Sequence, residues 1–421
     1  MTNPKPMLSV SEARARILEH FAPLPVETVP LGAAARRVLA ADLTAPRDLP
    51  PFANSSMDGY AVRSAEAAAG VSLPVSADVP AGTGIPAPLA AGTAARIMTG
   101  AAMPPGADAV VPVEDTDDRR ERAGEPAPAR VTINRAPDAG AYVRPVGQDL
   151  RAGQAVLAAG TPLGASTLGL LAALGYAQVP VYRRPRVAVF STGDELRPVE
   201  APLGPGQIHD TNGHTLAAAI EQYGGEALRL GIVGDQLDAV RARLRAAQEQ
   251  GADLILSSAG VSVGAYDVVK AAIELDGALN FWRVRMRPGK PLAFGHVHGV
   301  PYFGLPGNPV SALMTFEVFV RPALLKLAGR RRWDKLAVSA TLAEPMESDG
   351  RETYMRVVVT RQPGGGYVAR TAGDQGSAVL SALARANGLL ILPEGVTRPS
   401  PGAQFTVWLL DGGETVLDDD A

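Results

Sequence analysis

Between about Arg184 and Gly329 the apolar runs VAVFS, LRLGIV, LILSSA and PYFGL alternate with helical segments, TLAAAIEQYGG and QLDAVRARLRAAQEQG among them. This alternation constrains the chain more than any other feature. Short apolar runs flanked by amphipathic helices read as strands buried on both faces, the sequence form of a parallel sheet with crossover helices. In an open sheet of that kind ligands bind outside the carboxyl ends of the strands. Four of the runs end in short, polar, Gly-rich turns: Ser191-Thr192-Gly193-Asp194-Glu195, Gly234-Asp235, Ser258-Ala259-Gly260-Val261-Ser262-Val263-Gly264 and Leu305-Pro306-Gly307-Asn308-Pro309. A fifth loop, Arg287-Pro288-Gly289-Lys290-Pro291, precedes the AFGHVHG run. Glycines in such loops let backbone N–H groups approach an anion, and a following helix N-terminus adds about half a positive charge. Together the loops describe a site for a phosphate-bearing ligand with carboxylates at its edge.

The rest of the 421 residues must form other modules, because one hydrophobic core stops growing well short of that length and about three domains are the prior. Ser11 is a candidate cap for an amphipathic helix reaching Phe21, with Ala13, Ile17 and Phe21 at helical spacing, and a second helical stretch is predicted over about Ala33 to Ala40. From about 50 to 150 many short apolar segments are broken by Pro and Gly, which suggests a small β-rich module. The tract DTDDRRERAGEPAPAR between Asp115 and Arg130 reads as a solvated loop, and a helix is predicted from about Ser166 to Leu174. After Lys335 the strands LAVSATLAE, TYMRVVVTR, GYVARTA and FTVWLL indicate a small β-barrel or sandwich. The fold class is therefore multidomain α/β plus β. Its parts are an elongated segment over 1–49 and 140–183, a β-rich module over 50–139 carrying Met57-Asp58-Gly59-Tyr60, the α/β ligand domain over 184–329 and a C-terminal β-barrel over 330–421.

Composition removes several function classes. With 40 Lys and Arg against 43 Asp and Glu, the net charge of −3 lacks the global basic field of a general nucleic-acid binder. Zero Cys excludes disulfides, thiolate metal sites, Fe–S clusters and Cys nucleophiles, and five scattered His make a zinc site a poor reading. The N-terminus lacks the apolar core of a signal peptide and no run is long enough to span a membrane, so a soluble cytoplasmic protein is expected. Only five lysines occur, which singles out Lys290 inside its loop.

Each loop also has a bland reading. Asp194 or Glu195 suits a helix cap, Asn308 and Pro309 suit an ordinary helix start, RPGKP suits a surface turn, and Asp58 suits a structural turn beside Gly59. A sharper rival is a serine-hydrolase elbow, since Gly260-Val261-Ser262-Val263-Gly264 fits G-x-S-x-G after a strand. Its partners fit badly: His296 and His298 follow closely in an apolar run and no oxyanion segment of the HGGG type lies upstream. Walker and Rossmann patterns fail as well, because Pro291 follows Lys290 and no G-x-G-x-x-G opens a helix.

The strings PPFANSSMDGYAVR, RIMTGAAMPPGADAVVPVE, GQDL, VAVFSTGDEL, GQIHDTN, SSAGVSVGAYD, RPGKPLAFG, GLPGNPVSA and GRETYMR with DQGS occur in this order across nearly the whole chain. In these the chain resembles the molybdopterin molybdenumtransferase (MoeA/gephyrin) family. The α/β region alone is also similar to the molybdopterin adenylyltransferase fold, which lacks the flanking modules. The resemblance implies a homodimeric enzyme that takes adenylylated molybdopterin and molybdate, cleaves the pyrophosphate with Mg²⁺ and releases molybdenum cofactor plus AMP. A molybdopterin adenylyltransferase becomes a candidate partner, and a gephyrin-like scaffold the non-catalytic alternative.

By motif, Asp58, Thr99, Asp149, Glu195, Asp235, Asp267, Arg287 and Lys290 occupy the family's functional positions, and Ser311, Arg351 and Ser377 match positions of oxyanion capture. Ligand contacts are implied for Ser191, Thr192, Gly193, Asp194, Asp210, Asn212, Ser257, Ser258, Gly260, Val261, Ser262, Gly264, Pro306, Gly307, Asn308 and Pro309. A hard divalent cation wants carboxylate and phosphate oxygens, so Glu195, Asp235 and Asp267 are the expected metal ligands, with Asp58 suited to the same chemistry. Absence of Cys fits a substrate whose dithiolene sulfurs take the metal without competition. Three positions depart from the family: Ala53 replaces a common Asp, Ala259 a common Gly and Arg287 a common Lys. Arg287 keeps the charge in a fork in place of a compact ammonium, and Ala259 is expected to tighten its loop.

Overall fold

The computed structural model describes residues 7–118, 126–259, 268–410 and 416–418. Its central sheet has six strands in the order Glu226–Val233, Arg186–Thr192, Leu254–Ser258, Val300–Leu305, Pro291–Val297 and Gly277–Arg283. The first four are parallel, as the alternation predicts. Successive residues point to opposite faces: Val187, Val189, Leu254 and Leu256 join one core with the helix Thr211–Gln222, while Ala188, Phe190 and Ile255 join another with the helices Leu237–Glu249 and Val268–Asp276. Burial on both faces explains why these strands show no polar alternation.

The last two strands correct the purely parallel expectation. Pro291–Val297 and Val300–Leu305 pair antiparallel, as do Gly277–Arg283 and Pro291–Val297. The cause is local, since His298 and Gly299 both take positive φ, 49° and 81°. That is the backbone of a two-residue hairpin turn whose twist matches the flanking strands.

The helix at the N-terminus begins earlier than predicted. Ser9, not Ser11, is the cap of Val10–Leu18: its Oγ accepts from the Glu12 amide at 3.2 Å and its own amide donates to Glu12 Oε2 at 2.8 Å. Ser9-x-x-Glu12 is a complete capping box, which Ser11 cannot form. This segment, expected in the elongated part, packs Val10, Ala13, Ile17 and Phe21 into the same core as Val187, Phe294 and Phe303. The stretch Ala33 to Ala40 is not helical beyond the short turn Leu31–Ala33. Arg36 adopts φ 61°, which ends any right-handed helix, and Leu39 then bridges Val181.

Three short antiparallel pairs carry the chain out and back: Val26–Pro30 with Gln178–Tyr182, Leu43–Thr44 with Ala155–Leu157, and Asn54–Ser55 with Val143–Arg144. At the far end lies a five-stranded sheet, ordered Ala109–Pro112, Gly59–Val62, Ala94–Ile97, Ser72–Val79 and Arg130–Thr132. Gly59 is obligatory there, because a Cβ would lie 2.0 Å from the Val111 carbonyl oxygen. In the C-terminal region Glu352–Arg361, Tyr367–Thr371, Ala337–Leu342, Gln404–Leu409 and Gly388–Leu392 close into a five-stranded barrel around Leu342, Val357, Val359, Leu390 and Val407. Among the described residues no helix is long and apolar enough to cross a membrane.

Candidate active site

A cavity of about 900 Å³ opens at the carboxyl edge of the parallel strands. Thr192 and Glu195 line it from the first loop, Ser258 and Ala259 from the third, and Pro306, Gly307, Asn308, Pro309 and Ser311 from the fourth. The strand and loop geometry is held by a buried polar network behind this wall. Ser191 Oγ donates to Asp210 Oδ1 at 2.7 Å, and the same carboxylate caps the helix Thr211–Gln222 through the Gly213 amide at 2.9 Å. Asn212 Nδ2 donates to Ser258 Oγ at 2.6 Å and to the Gly307 carbonyl at 2.7 Å, tying the third and fourth loops together. Its Oδ1 is buried without a partner among the described residues. Such an acceptor costs free energy unless something donates to it, and Asn212 lines the cavity. Ser257 is wholly buried and bonded to the Tyr302 hydroxyl, so it supports the wall from behind and does not line it.

Glu195, Asp194 and Asp235 gather at the ends of the first two loops. Asp194 Oδ1 accepts from the Asp235 amide at 3.2 Å. Burial raises the Asp235 carboxyl above its ordinary pKa, and the neighbouring charges of Asp194 and Glu195 raise it further. Gly193, at φ 149°, takes a backbone conformation that L-residues rarely adopt, and the Glu195 carboxylate lies over it, 2.5 Å from where a Cβ would stand. Among the described residues no group of three or more His, Asp or Glu is poised to hold a metal ion. Gly260, Val261, Ser262, Gly264 and Asp267 lie outside the described residues.

Cations gather on another side, where the barrel meets the α/β module. Met286–Arg287 pairs in parallel with Glu352–Thr353 of the barrel. Arg351 Nη1 donates to the Met286 carbonyl at 2.9 Å, and its fork pairs with Asp349, whose carboxyl is held below its ordinary pKa by that hydrogen bond. Gly289, at φ 108°, presses the Arg287–Pro291 loop against the helical run after Asn308: a Cβ would meet Thr315 Oγ1 at 2.6 Å. Lys290 is exposed on this loop and the adjacent Pro291 lines the cavity. Ser377 closes the arrangement. Its carbonyl accepts from the Val310 amide at 3.2 Å, and its Oγ accepts from Asn308 Nδ2 at 2.9 Å, which leaves the hydroxyl hydrogen available.

Asp58, Thr99 and Asp149 do not line this cavity. Asp58 Oδ1 accepts from the Thr99 amide at 2.7 Å and from Thr99 Oγ1 at 2.9 Å, so these two form one exposed unit in the N-terminal sheet. Asp149 is exposed, its amide bonded to the Leu49 carbonyl at 2.9 Å. Ala53, one of the departures, is half-buried and its carbonyl accepts from the Met103 amide at 2.9 Å. The motifs did not single out Leu196, Leu203, Ile208 and His209, which form an apolar flank of the cavity, nor Ala378 and Leu380 from the C-terminal region. The exposed Leu203 and Ile208 were the available signal, but exposure is invisible in sequence.

The hydrolase reading loses its base. His296 pairs with Pro301 and His298 sits in the turn before Val300, both at the end of the sheet opposite Leu305 and the cavity.

Comparisons agree along the chain. Residues 8–175 match the MoeA N-terminal region (domain I and II), 188–326 a probable molybdopterin binding domain, and 339–410 the MoeA C-terminal region (domain IV). A molybdopterin molybdenumtransferase of Haemophilus influenzae is 37% identical over 405 residues, covering 95% of this chain and 98% of the relative. The molybdopterin molybdenumtransferase 2 of Mycobacterium tuberculosis is 41% identical over 418 residues, covering 96% and 99%. Among solved structures, a molybdopterin biosynthesis moeA protein from Pyrococcus horikoshii superposes with a TM-score of 0.76 at 32% identity, covering 96% of this chain and 99% of its own. With all three regions matched in order and nearly full-length relatives above 30% identity, the chain belongs to the molybdopterin molybdenumtransferase family.

Proposed function

We infer that this protein is a transferase of molybdenum cofactor biosynthesis that inserts molybdate into adenylylated molybdopterin, releasing molybdenum cofactor and AMP. The observation that carries this reading is a cavity at the carboxyl edge of the parallel strands, lined by Glu195 from the first loop and by Pro291, next to Lys290, from the loop near the barrel. The fourth loop and its following helical run present Asn308 and Ser311, and Lys290, Arg287, Arg351 and Ser377 supply charge and donors for a small oxyanion.

Crowding of Asp194, Glu195 and Asp235, which raises the Asp235 pKa, fits a divalent cation that offsets the repulsion. Mg²⁺ characteristically takes one or two carboxylates and completes its shell with phosphate oxygens and water, so a three-residue cage is not required. Glu195 and Asp235 would hold it, where it would neutralise charge on the pyrophosphate. We further propose a cytoplasmic homodimer with the module boundaries given above. The support is that Asp58, Thr99 and Asp149, functional positions by resemblance, stand away from the cavity of their own chain. The test is AMP release by purified protein from adenylylated molybdopterin, with and without sodium molybdate. Molybdate-dependent AMP release together with formation of the cofactor is expected; no AMP under any condition refutes the reading.

A further inference from the structure

Arg356 lies in the barrel strand Glu352–Arg361 and is the bulkiest of the fully buried side chains among the described residues, 1% exposed. Its guanidinium makes no ion pair among the described residues. Nη2 donates to the carbonyls of Asp374 at 3.0 Å and Gly376 at 3.1 Å, and Nε is buried with no partner among the described residues. Burial pulls its pKa below the usual arginine value and the charge of Arg287 adds to this, while Asp374 opposes it. A buried charge held by two carbonyls, with the Asp374 charge near it but no ion pair among the described residues, is costly to keep, so the arrangement it holds has to offset that cost.

The loop that Arg356 holds ends at Ser377. Besides the two Nη2 bonds, the Arg356 backbone is paired by Gln375, whose Oε1 accepts from its amide at 2.9 Å and whose Nε2 donates to its carbonyl at 3.0 Å. Gln375 Nε2 also donates to the Gly373 carbonyl at 2.8 Å. One residue beyond Gly376, Ser377 is docked on Asn308 and Val310. The hydrogen bonds of one buried residue thus fix the approach of a hydroxyl whose hydrogen is unassigned.

We propose that Arg356 is a positioning residue of the oxyanion cradle, setting the Asp374–Ser377 loop so that the Ser377 hydroxyl meets a tetrahedral dianion of the molybdate class. The proposal rests on the reading of the site as a molybdenumtransferase.

The experiment measures AMP release by the full-length protein as a function of sodium molybdate at saturating adenylylated molybdopterin, and of the pterin at saturating molybdate. Arg356→Met is expected to raise half-saturating molybdate tenfold or more while half-saturating pterin changes less than twofold. Arg356→Lys keeps the charge, but its shorter side chain does not carry a donor to the place where Nη2 meets both carbonyls, and it is expected to recover only part of the loss. In a Ser377→Ala background, Arg356→Met is expected to cost clearly less than it does alone, because it acts through that hydroxyl. Equal losses for both substrates, unchanged half-saturating molybdate, or additivity with Ser377→Ala overturns the proposal. Should Arg356→Met not fold, Arg356→Lys decides it: wild-type half-saturating molybdate overturns the proposal and a selective rise supports it. A wild-type protein that releases AMP indifferently to molybdate overturns the transferase reading and this proposal with it, whereas a molybdate-dependent wild type with an indifferent variant overturns this proposal alone.

Discussion

Ala259→Gly is expected to stabilise the protein. Ala259 ends the third parallel strand at φ 74°, with its amide donating to the Leu305 carbonyl at 3.0 Å. The left-handed conformation costs an L-residue about 1–2 kcal/mol, and glycine removes that strain. Against this, glycine gives the unfolded chain more freedom, which costs about 0.4–1 kcal/mol. The net gain is therefore about 0.5–1 kcal/mol. The side chain also crowds the fourth loop: a Cβ placed on Gly307 would lie 3.3 Å from Ala259 Cβ and 3.7 Å from its Cα. Gly307→Ala alone thus needs Ala259 to give by a few tenths of an ångström, a mild crowding at an exposed position. In the Ala259→Gly background the nearest remaining distance is the 3.7 Å contact, which is ordinary packing. The two substitutions together are expected to be more stable than the sum of their separate effects by about 0.5 kcal/mol or more. Urea unfolding followed by circular dichroism on all four proteins gives the cycle. A lower stability for Ala259→Gly refutes the strain, and strict additivity refutes the contact.

Glu195→Gln is expected to leave ligand affinity nearly intact and slow AMP release about 10²-fold, since a lost carboxylate acts mainly on the charged transition state; a wild-type single-turnover rate removes Glu195 from the mechanism. His296 is held below its ordinary pKa by burial and by His20, whose ring centroid is 5.2 Å away. The unfolded state then binds the proton more readily, so stability is complete above about pH 6.5 and declines as the pH falls from there towards the folded-state value. His296→Phe should flatten this decline in urea midpoints measured between about pH 7 and 5, and an unchanged slope rejects the assignment. If each site is shared between subunits, differently tagged Asp58→Ala and Glu195→Ala chains purified as mixed dimers should regain about half the wild-type activity, one intact site of two, while either homodimer stays nearly inactive. Verified mixed dimers without recovery would place both residues in one chain's site.

Legibility in the sequence followed the range of the forces involved. Strands such as Arg186–Thr192 and Leu254–Ser258 are buried on both faces, so their apolar runs announce them, and their loops follow from glycine and proline that local backbone geometry demands. Ser9 yields to Ser11 in a reading by apolar spacing although the reciprocal Glu12 is legible, because such a pattern alone does not fix a helix start to within two residues. Ala259 gives no sign of its positive φ beyond standing where relatives commonly carry glycine. Arg356 reads as one more arginine in a strand. Its burial and its hold on the 374–377 loop arise from packing between the barrel and the α/β module, and no local pattern encodes contacts of that span.

The antiparallel correction bears directly on the chemistry. Were Pro291–Val297 parallel to its neighbours, the loop before it would open at the end of the sheet opposite the cavity, and Lys290 would stand a strand length from every ligand contact. The His298-Gly299 turn reverses the strand, so its first residue, Pro291, lies at the same edge as Leu305 and lines the cavity. Acidic groups thus come from loops that leave parallel strands, and cations from a loop that enters an antiparallel one. Those two sources are separated by the intervening strands Leu254–Ser258 and Val300–Leu305, so among the described residues Asp194, Glu195 and Asp235 form no short ion pairs with Arg287 or Lys290. Arg351 does find an acid, Asp349, but within its own loop, where the pair orients the fork towards the Met286 carbonyl. A ligand that brings both a metal-seeking pyrophosphate and an oxyanion therefore meets opposite charges at two ends of one edge, and the hairpin turn is the element of the fold that makes this possible.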